Sequence, residues 1–128
     1  MLKNFLLSLS LLLMSCSTSS ALNLSEINSN QTIKTHINEE ITISLKGNPT
    51  TGYKWQFTSS NGTYFKVLEE SYQIDKHPSG MVGVGGHFIY RFKPIKKGTF
   101  AINAKYYRPW EEFNPEADKQ YNFNFEVE

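Results

Sequence analysis

The chain has 128 residues, which is the size of one domain and leaves little room for a second. Its formal net charge of +1, with 20% charged residues, argues against binding to nucleic acid or to an anionic membrane surface. Aromatic residues make up 14% of the chain, which is enough large side chains to fill the core of one sandwich or barrel.

Residues 1–21 have the pattern of a secretory signal. Lys3 precedes an apolar run that only serines interrupt, and small residues follow it. The run is shorter than the roughly 20 apolar residues that a membrane-spanning helix needs. Two cleavage points compete: one after Ala21, and one before Cys16 in a stretch similar to a bacterial lipobox. We therefore expect export to the periplasm or the medium, with residues 22–128 as the folded domain, or a lipoprotein anchored to the membrane through Cys16.

No set of catalytic or metal-binding residues is apparent. Cys16 is the only cysteine, so the folded domain has no disulfide, no thiol nucleophile and no cysteine metal site. His36, His77 and His87 lie on separate segments without metal-ligand spacing and without a patterned carboxylate, as is typical of surface histidines. The sequence predicts a protein without enzymatic activity, metal or cofactor.

After a polar lead-in, apolar and polar residues alternate in short segments, as half-buried β-strands do. The alternation recurs in residues 31–37, 41–45, 53–57, 65–74, 88–92, 100–106 and 121–127. The first segment is interpreted as an edge strand, and residues 65–74 show the pattern least clearly. Seven to eight short strands separated by turn residues predict a single-domain, immunoglobulin-like antiparallel β-sandwich. A small closed barrel is the alternative.

The connection at residues 48–53 reads NPTTGY and is called the NPTTGY loop below. Asn48, Pro49 and Gly52 are residues that a tight turn uses, but such a turn does not require Thr50 and Thr51 at its tip. Two interpretations are open. The threonines either fill a stable connection between strands or form a rigid tip that is offered to a partner.

The connection at residues 83–86 reads GVGG and is called the GVGG loop. Glycines are costly to order because each one loses much chain entropy. One interpretation is a flexible hairpin end or a bulge. The other is a backbone that must come close to another backbone, in which Gly85 and Gly86 exchange main-chain hydrogen bonds with a partner.

The third connection begins with residues 108–110, RPW, which form the RPW loop. Pro109 ends the preceding strand, and Trp110 leads into a polar segment where a core position is not expected. An indole beside the guanidinium of Arg108 on an exposed loop is the composition of a binding hot spot. The alternative is a tryptophan folded back over the end of the sandwich, with Arg108 in a surface salt bridge.

In this order, NPTTGY, GVGG and RPW resemble the three motifs of the chagasin family, protein inhibitors of papain-like cysteine peptidases. The family pattern is NPTTG, then GxGG, then RPW or RPF, each between strands of an immunoglobulin-like sandwich, and it is intact across the folded domain. Residues 22–31 and the acidic segment 111–118 fall outside the pattern. The resemblance implies that the three loops emerge at one end of the sandwich and form a ridge shaped to fill the peptidase cleft.

By that resemblance the partner is a papain-like cysteine peptidase, either the organism's own or a host's. The NPTTGY tip is expected to lie over the catalytic cysteine of the peptidase, and the GVGG loop to run along one wall of the cleft through main-chain hydrogen bonds. Trp110 and Arg108 are expected to pack near the peptidase histidine. Substrates lie extended in that cleft, whereas inhibition by the loops is steric and reversible, and needs only a monomer. The implied contact residues are Asn48, Pro49, Thr50, Thr51, Gly52, Tyr53, Gly83, Val84, Gly85, Gly86, Arg108, Pro109 and Trp110.

Two functions of other classes compete with the inhibitor. One is an immunoglobulin-like adhesion or assembly module that binds another protein or a glycan through the same loops. The other is a structural envelope lipoprotein held at the membrane through Cys16.

Overall fold

The computed structural model describes residues 21–80 and 84–128. Residues 1–20 of the predicted signal, including Cys16, and Gly83 of the GVGG loop lie outside the described residues. In the described ranges eight strands form two four-stranded sheets, ordered β1-β3-β6-β5 and β2-β8-β7-β4. The strands are β1 (Ala21–Leu24), β2 (Thr32–Thr35), β3 (Glu40–Gly47), β4 (Lys54–Ser59), β5 (Phe65–Ile74), β6 (Gly86–Pro94), β7 (Gly98–Tyr107) and β8 (Lys119–Val127). The predicted sandwich is confirmed.

The core lies between the two sheets because alternate residues of each strand face the opposite sheet. Phe92 of β6 packs edge-on against Phe125 of β8, with ring centroids 5.4 Å apart, and Phe125 stacks on Phe100 of β7 at 5.0 Å. Burying a large apolar side chain of this kind contributes about 1.5–3 kcal/mol. The inward-facing residues of the central strands are buried: Ile41, Ile43, Leu45, Phe88, Tyr90, Phe92, Phe100, Ile102, Ala104, Phe123, Phe125 and Val127.

Two short edge strands pair in parallel, whereas the central pairings are antiparallel. β2 extends the second sheet beside β8, which agrees with its interpretation as an edge strand. β1 was not expected, because the sequence of residues 22–31 was interpreted as a polar lead-in. Its buried Leu24 packs in the core, and four residues with two leucines are too short to show a period.

The three motif-bearing connections lie at the same end of the sandwich. The NPTTGY loop joins β3 to β4, the GVGG loop precedes β6, and the RPW loop follows β7. Gly47, the last residue of β3, pairs with Gly86, the first residue of β6, and Lys54 at the start of β4 pairs with Tyr107 at the end of β7. The connections from β2 to β3, from β4 to β5 with its three-residue turn Gly62–Tyr64, and from β6 to β7 lie at the opposite end. The helical turns of the described ranges are too short and too polar to cross a membrane.

Candidate functional site

The NPTTGY loop is closed by its own hydrogen bonds. Asn48 caps the 3-10 turn Pro49–Thr51, because its Oδ1 accepts hydrogen bonds from Thr50 N at 3.1 Å and from Thr50 Oγ1 at 2.7 Å. Thr51 Oγ1 donates to Asn48 O at 3.1 Å, and Gly52 ends the turn with a φ of 88°. Both threonines are exposed. They therefore stabilise the tip and form its outer surface at the same time.

Arg108 joins the RPW loop to the NPTTGY loop. Its Nε donates to Thr51 O at 2.9 Å, and its guanidinium lies 4.7 Å from the centroid of the Tyr53 ring. The salt bridge considered from the sequence also exists, with Arg108 Nη1 3.8 Å from Glu111 Oε2. Arg108 is half-buried by these contacts, so its main observed role is to hold the two loops together.

Trp110 packs on the NPTTGY loop rather than over the end of the sandwich. Its indole fills the space that a side chain on Gly52 would need. Trp110 is nevertheless 71% exposed, which is high for so large an apolar residue. The structure therefore places Thr51, Gly52, Arg108 and Trp110 in one surface.

The described part of the GVGG loop lies beside the base of the NPTTGY loop. Gly85 O accepts a hydrogen bond from Asp75 N at 3.1 Å, and a Cβ on Gly85 would lie 3.5 Å from Gly47 O, an ordinary contact. Val84 and Gly85 are half-buried. The backbone of the GVGG loop at Gly85 thus lies next to Gly47, the residue that immediately precedes the NPTTGY loop.

Gly86 has a different position from the one expected. The sequence suggested that it presents its backbone to a partner, but Gly86 is buried as the first residue of β6. A Cβ there would overlap the Gln73 carbonyl oxygen and the Tyr72 hydroxyl. The close approach that requires this glycine is therefore made within the protein itself.

His87 has a carboxylate partner that the spacing of the sequence does not show. Its Nδ1 lies 2.9 Å from Asp75 Oδ1, and both side chains are about two-fifths exposed, at 39% and 40%. The pair closes the base of the connection between β5 and β6. Sequence spacing could not reveal it, because the contact depends on the register of that hairpin. His36 and His77 are exposed, as expected. Among residues 21–80 and 84–128, no group of three or more metal-ligating side chains could hold a metal ion.

Aromatic side chains outside the three motifs connect the loops to the core. Tyr106 of β7 stacks on Tyr53 at a centroid distance of 5.2 Å and packs against Trp55 of β4 at 4.8 Å. Tyr72 of β5 lies on the other side, 4.8 Å from the ring of Phe88. Desolvation raises the pKa of Tyr72, and the nearby charge of Asp75 raises it further. Like any tyrosine, Tyr72 is protonated at neutral pH, so its hydroxyl can donate a hydrogen bond.

The acidic segment 111–118 forms a closed turn next to Trp110. Asn114 N donates to Asp118 Oδ2 at 2.8 Å, and Asp118 N donates to Asn114 O at 2.8 Å. Phe113 folds back edge-on against Tyr107 at 5.5 Å, with the Lys105 ammonium 4.8 Å above its ring. The segment therefore packs on the outer face of β7.

A sandwich that presents linked loops at one end is the architecture of a loop-based binding protein. The profile described as "Chagasin family peptidase inhibitor I42" matches residues 34–127, from β2 to the end of β8. The chain therefore belongs to the chagasin family, whose members are inhibitors of cysteine proteases.

Known relatives and solved structures agree with this assignment. Amoebiasin-2 of Entamoeba histolytica is 38% identical over 88 residues, which cover 69% of this chain and 71% of that protein. Chagasin of Trypanosoma cruzi is 33% identical over 84 residues, which cover 62% of this chain and 74% of that protein. The crystal structure of the cysteine protease inhibitor EhICP2 from Entamoeba histolytica has a TM-score of 0.75 at 29% identity and covers 85% of this chain and 96% of that one.

Proposed function

We propose that this protein reversibly inhibits papain-like cysteine peptidases by filling their active-site cleft with the NPTTGY, GVGG and RPW loops. The observation that carries the proposal is the direct packing of Arg108 and Trp110 on Thr51 and Gly52. Two separate connections of the chain thereby share one surface, and the backbone of the third, at Gly85, lies beside Gly47 at the base of the first. Membership of a family of peptidase inhibitors supports the assignment of that surface to inhibition.

The NPTTGY tip is suited to a narrow cleft. Its outermost side chains, Thr50 and Thr51, are small, and their hydroxyls already bond within the loop, so little conformational freedom is lost when the tip docks. A pre-ordered loop binds more tightly than a flexible one with the same contacts. An interface of roughly 800 Å² on each partner is usual for protease–inhibitor complexes.

The two flanking loops contribute contacts of different kinds. Trp110, 71% exposed, is a large rigid side chain of the type that anchors interfaces. The backbone at Val84 and Gly85 carries little side-chain bulk and can approach a cleft wall for main-chain hydrogen bonds. Arg108 acts mainly within the inhibitor, because its Nε already bonds to Thr51 O.

The shape of the tip also explains why the inhibitor is not cleaved. Pro49–Thr51 form a 3-10 turn that Asn48 caps and Gly52 ends, whereas a substrate of these peptidases lies extended. A peptide bond within the turn does not reach the geometry that attack by the peptidase cysteine requires. The protein then occupies the cleft without being a substrate, and it performs no catalysis itself.

The proposal is tested by adding increasing amounts of the protein to papain of known active-site concentration. Papain activity is then followed with a fluorogenic peptide substrate. We expect activity to fall in proportion to added inhibitor, and the inhibitor to remain intact on a gel after prolonged incubation. Thr50→Arg should abolish inhibition by blocking entry of the tip. Thr63→Arg is the matched control, because Thr63 is an exposed threonine in another 3-10 turn that follows an asparagine, at the opposite end of the sandwich. Full papain activity with the wild-type protein, or equal effects of the two substitutions, would refute the proposal.

Export is part of the same proposal and rests on the sequence of residues 1–21 alone. Cleavage after Ala21 leaves Leu22 and Leu24, which keep their pairing with Ile41 and Ile43 of β3. Processing at Cys16 leaves the whole of β1 in place. The mass of the mature N-terminus, measured on protein from the producing cells, distinguishes Leu22, a lipid-modified Cys16 and an unprocessed Met1.

A further inference from the structure

Three aromatic side chains bond to three consecutive residues at the base of the NPTTGY loop. Trp55 Nε1 donates to Lys46 O at 2.9 Å, Tyr72 OH donates to Gly47 O at 3.3 Å, and Asn48 N donates to Tyr106 Oη at 2.9 Å. The donors and acceptors come from β4, β5 and β7, so both sheets contribute. Trp55, Tyr72 and Tyr106 are called the aromatic clamp below.

The backbone needs these partners because β3 leaves its sheet at this point. β1 pairs with β3 only as far as Ile43, so the last residues of β3 have a strand neighbour on one side only. Backbone amide and carbonyl groups that are partly removed from water are costly to leave unpaired. The aromatic clamp satisfies such groups at the residues where the chain turns into the loop.

Two glycines make room for the clamp. Tyr72 lies on β5 and reaches Gly47 on β3 across the strand between them, β6. It can do so because Gly86 of β6 has no side chain, and a Cβ there would overlap the Tyr72 hydroxyl. A Cβ on Gly47 would lie 3.1 Å from the Tyr106 ring and 2.8 Å from Phe88, so this position is also filled by aromatic rings. Gly86, the buried glycine of the GVGG loop, therefore makes room for a hydrogen bond at the base of the NPTTGY loop.

The clamp also connects the loop base with the RPW loop. Trp55 packs at a tilt against Tyr106, and Tyr106 stacks on Tyr53. The Arg108 guanidinium lies on the Tyr53 ring. Arg108 in turn bonds to Thr51 O at the tip. The NPTTGY loop is thus held at its base by the aromatic clamp and near its tip by Arg108.

We propose that Trp55, Tyr72 and Tyr106 are positioning residues for inhibition: without touching the peptidase, they hold the NPTTGY loop in its docking orientation before the encounter. This inference rests on the inhibitory function proposed above. Its physical basis is that loop ordering completed before binding does not reduce affinity. Each hydrogen bond of the clamp restricts the direction in which the loop leaves β3.

The test uses Tyr106→Phe and Tyr72→Phe, which remove one hydroxyl each and keep the rings. Loss of a bond of this strength should raise the inhibition constant for papain about three- to tenfold in each variant. Tyr107→Phe is the matched control, because it removes a hydroxyl from the next residue of the same strand, on the opposite face of the sheet. Its inhibition constant should equal that of the wild type.

Amide hydrogen exchange separates positioning from general stabilisation. In Tyr106→Phe the amides of Asn48 and Thr50 should exchange faster, while the amides of the buried core strands remain protected. Unchanged exchange at Asn48, or faster exchange without any change in the inhibition constant, overturns the inference. If the wild-type protein does not inhibit papain, the proposed function fails; the exchange at Asn48 and Thr50 then still decides whether the clamp orders the loop.

Discussion

Gly52 and Trp110 are in direct contact, although 57 intervening residues separate them in the chain. Gly52 adopts a φ of 88° and leaves the space that the indole of Trp110 occupies. Gly52, the glycine of the NPTTGY loop, thus provides the surface on which the Trp110 indole packs. Because of this contact, the two motifs act as one surface and respond together to a change in either.

The first prediction concerns Gly52→Ala. A left-handed backbone costs a residue with a side chain about 1–2 kcal/mol, so stability should fall. The new methyl group also displaces the Trp110 ring, so the inhibition constant should rise at least tenfold. Thermal unfolding and papain titration measure the two effects separately.

Gly98→Ala is the control for this substitution. Gly98 also has a positive φ, 134°, and a Cβ there would also overlap an aromatic ring, that of Tyr64. Gly98 lies at the opposite end of the sandwich. The Gly98→Ala variant should therefore be less stable than wild type, but its folded molecules should inhibit papain as the wild type does. If both variants lose inhibition equally, the contact between Gly52 and Trp110 has no specific role.

The second prediction is that Trp110→Ala weakens inhibition by about 2 kcal/mol or more, as truncation of an interface anchor does. Unfolding should change little, because the indole is largely exposed. Phe113→Ala, in the same connection but packed on Tyr107, should leave the inhibition constant as it is. An inhibition constant that is the same for Trp110→Ala and wild type removes Trp110 from the interface.

The third prediction separates the two described glycines of the GVGG loop. Gly85→Ala introduces only an ordinary contact with Gly47 O, so the melting temperature should be unchanged. If the backbone there must approach a cleft wall, the methyl group should still weaken inhibition. Gly86→Ala should instead destabilise the fold by about 1–3 kcal/mol, because its Cβ overlaps Gln73 and Tyr72. Full inhibition by Gly85→Ala would place this loop outside the interface.

The strands were predictable because burial on one face produces alternation in sequence. Phe88, Tyr90 and Phe92 are buried in the core from β6, whereas Ile89 and Arg91 between them are only half-buried. Residues 65–74 showed the pattern least clearly, and the structure gives the reason. The register of β5 against β6 shifts between Val67 and Glu69, and this bulge interrupts the period within a strand whose predicted ends are confirmed.

The site was predictable only as far as turn chemistry and motifs reach. Pro49 and Gly52 identify a tight turn from sequence, and the order of the three motifs identifies the family. The bonds from Tyr72 and Tyr106 to residues 47 and 48 join residues far apart in the chain, so they exist only after both sheets have packed. The same is true of the pair formed by Asp75 and His87, which requires the hairpin register.

The fourth prediction concerns the acid stability of the sheet that carries Tyr72. Hydrogen bonds from Ser71 and Arg91 lower the pKa of Glu69 below its ordinary 4.5. Arg91 Nη1 also donates to Glu40 Oε1 at 2.8 Å, so ionised Glu69 is part of a network that crosses β6 from β3 to β5. Because the pKa is lower in the folded state, ionised Glu69 stabilises the fold fully above pH 4.5, and this contribution is lost as the pH falls through the lowered value.

Glu69→Gln should therefore unfold more easily than wild type near neutral pH, and the difference in unfolding free energy should shrink below pH 4.5. Urea unfolding across the acidic range measures this difference. Glu70→Gln is the control, because Glu70 pairs with Tyr90 rather than with Arg91, so its difference from wild type should not follow the same curve. If the difference in unfolding free energy between wild type and Glu69→Gln were the same at every pH, the bonds from Ser71 and Arg91 to ionised Glu69 would not stabilise the folded state.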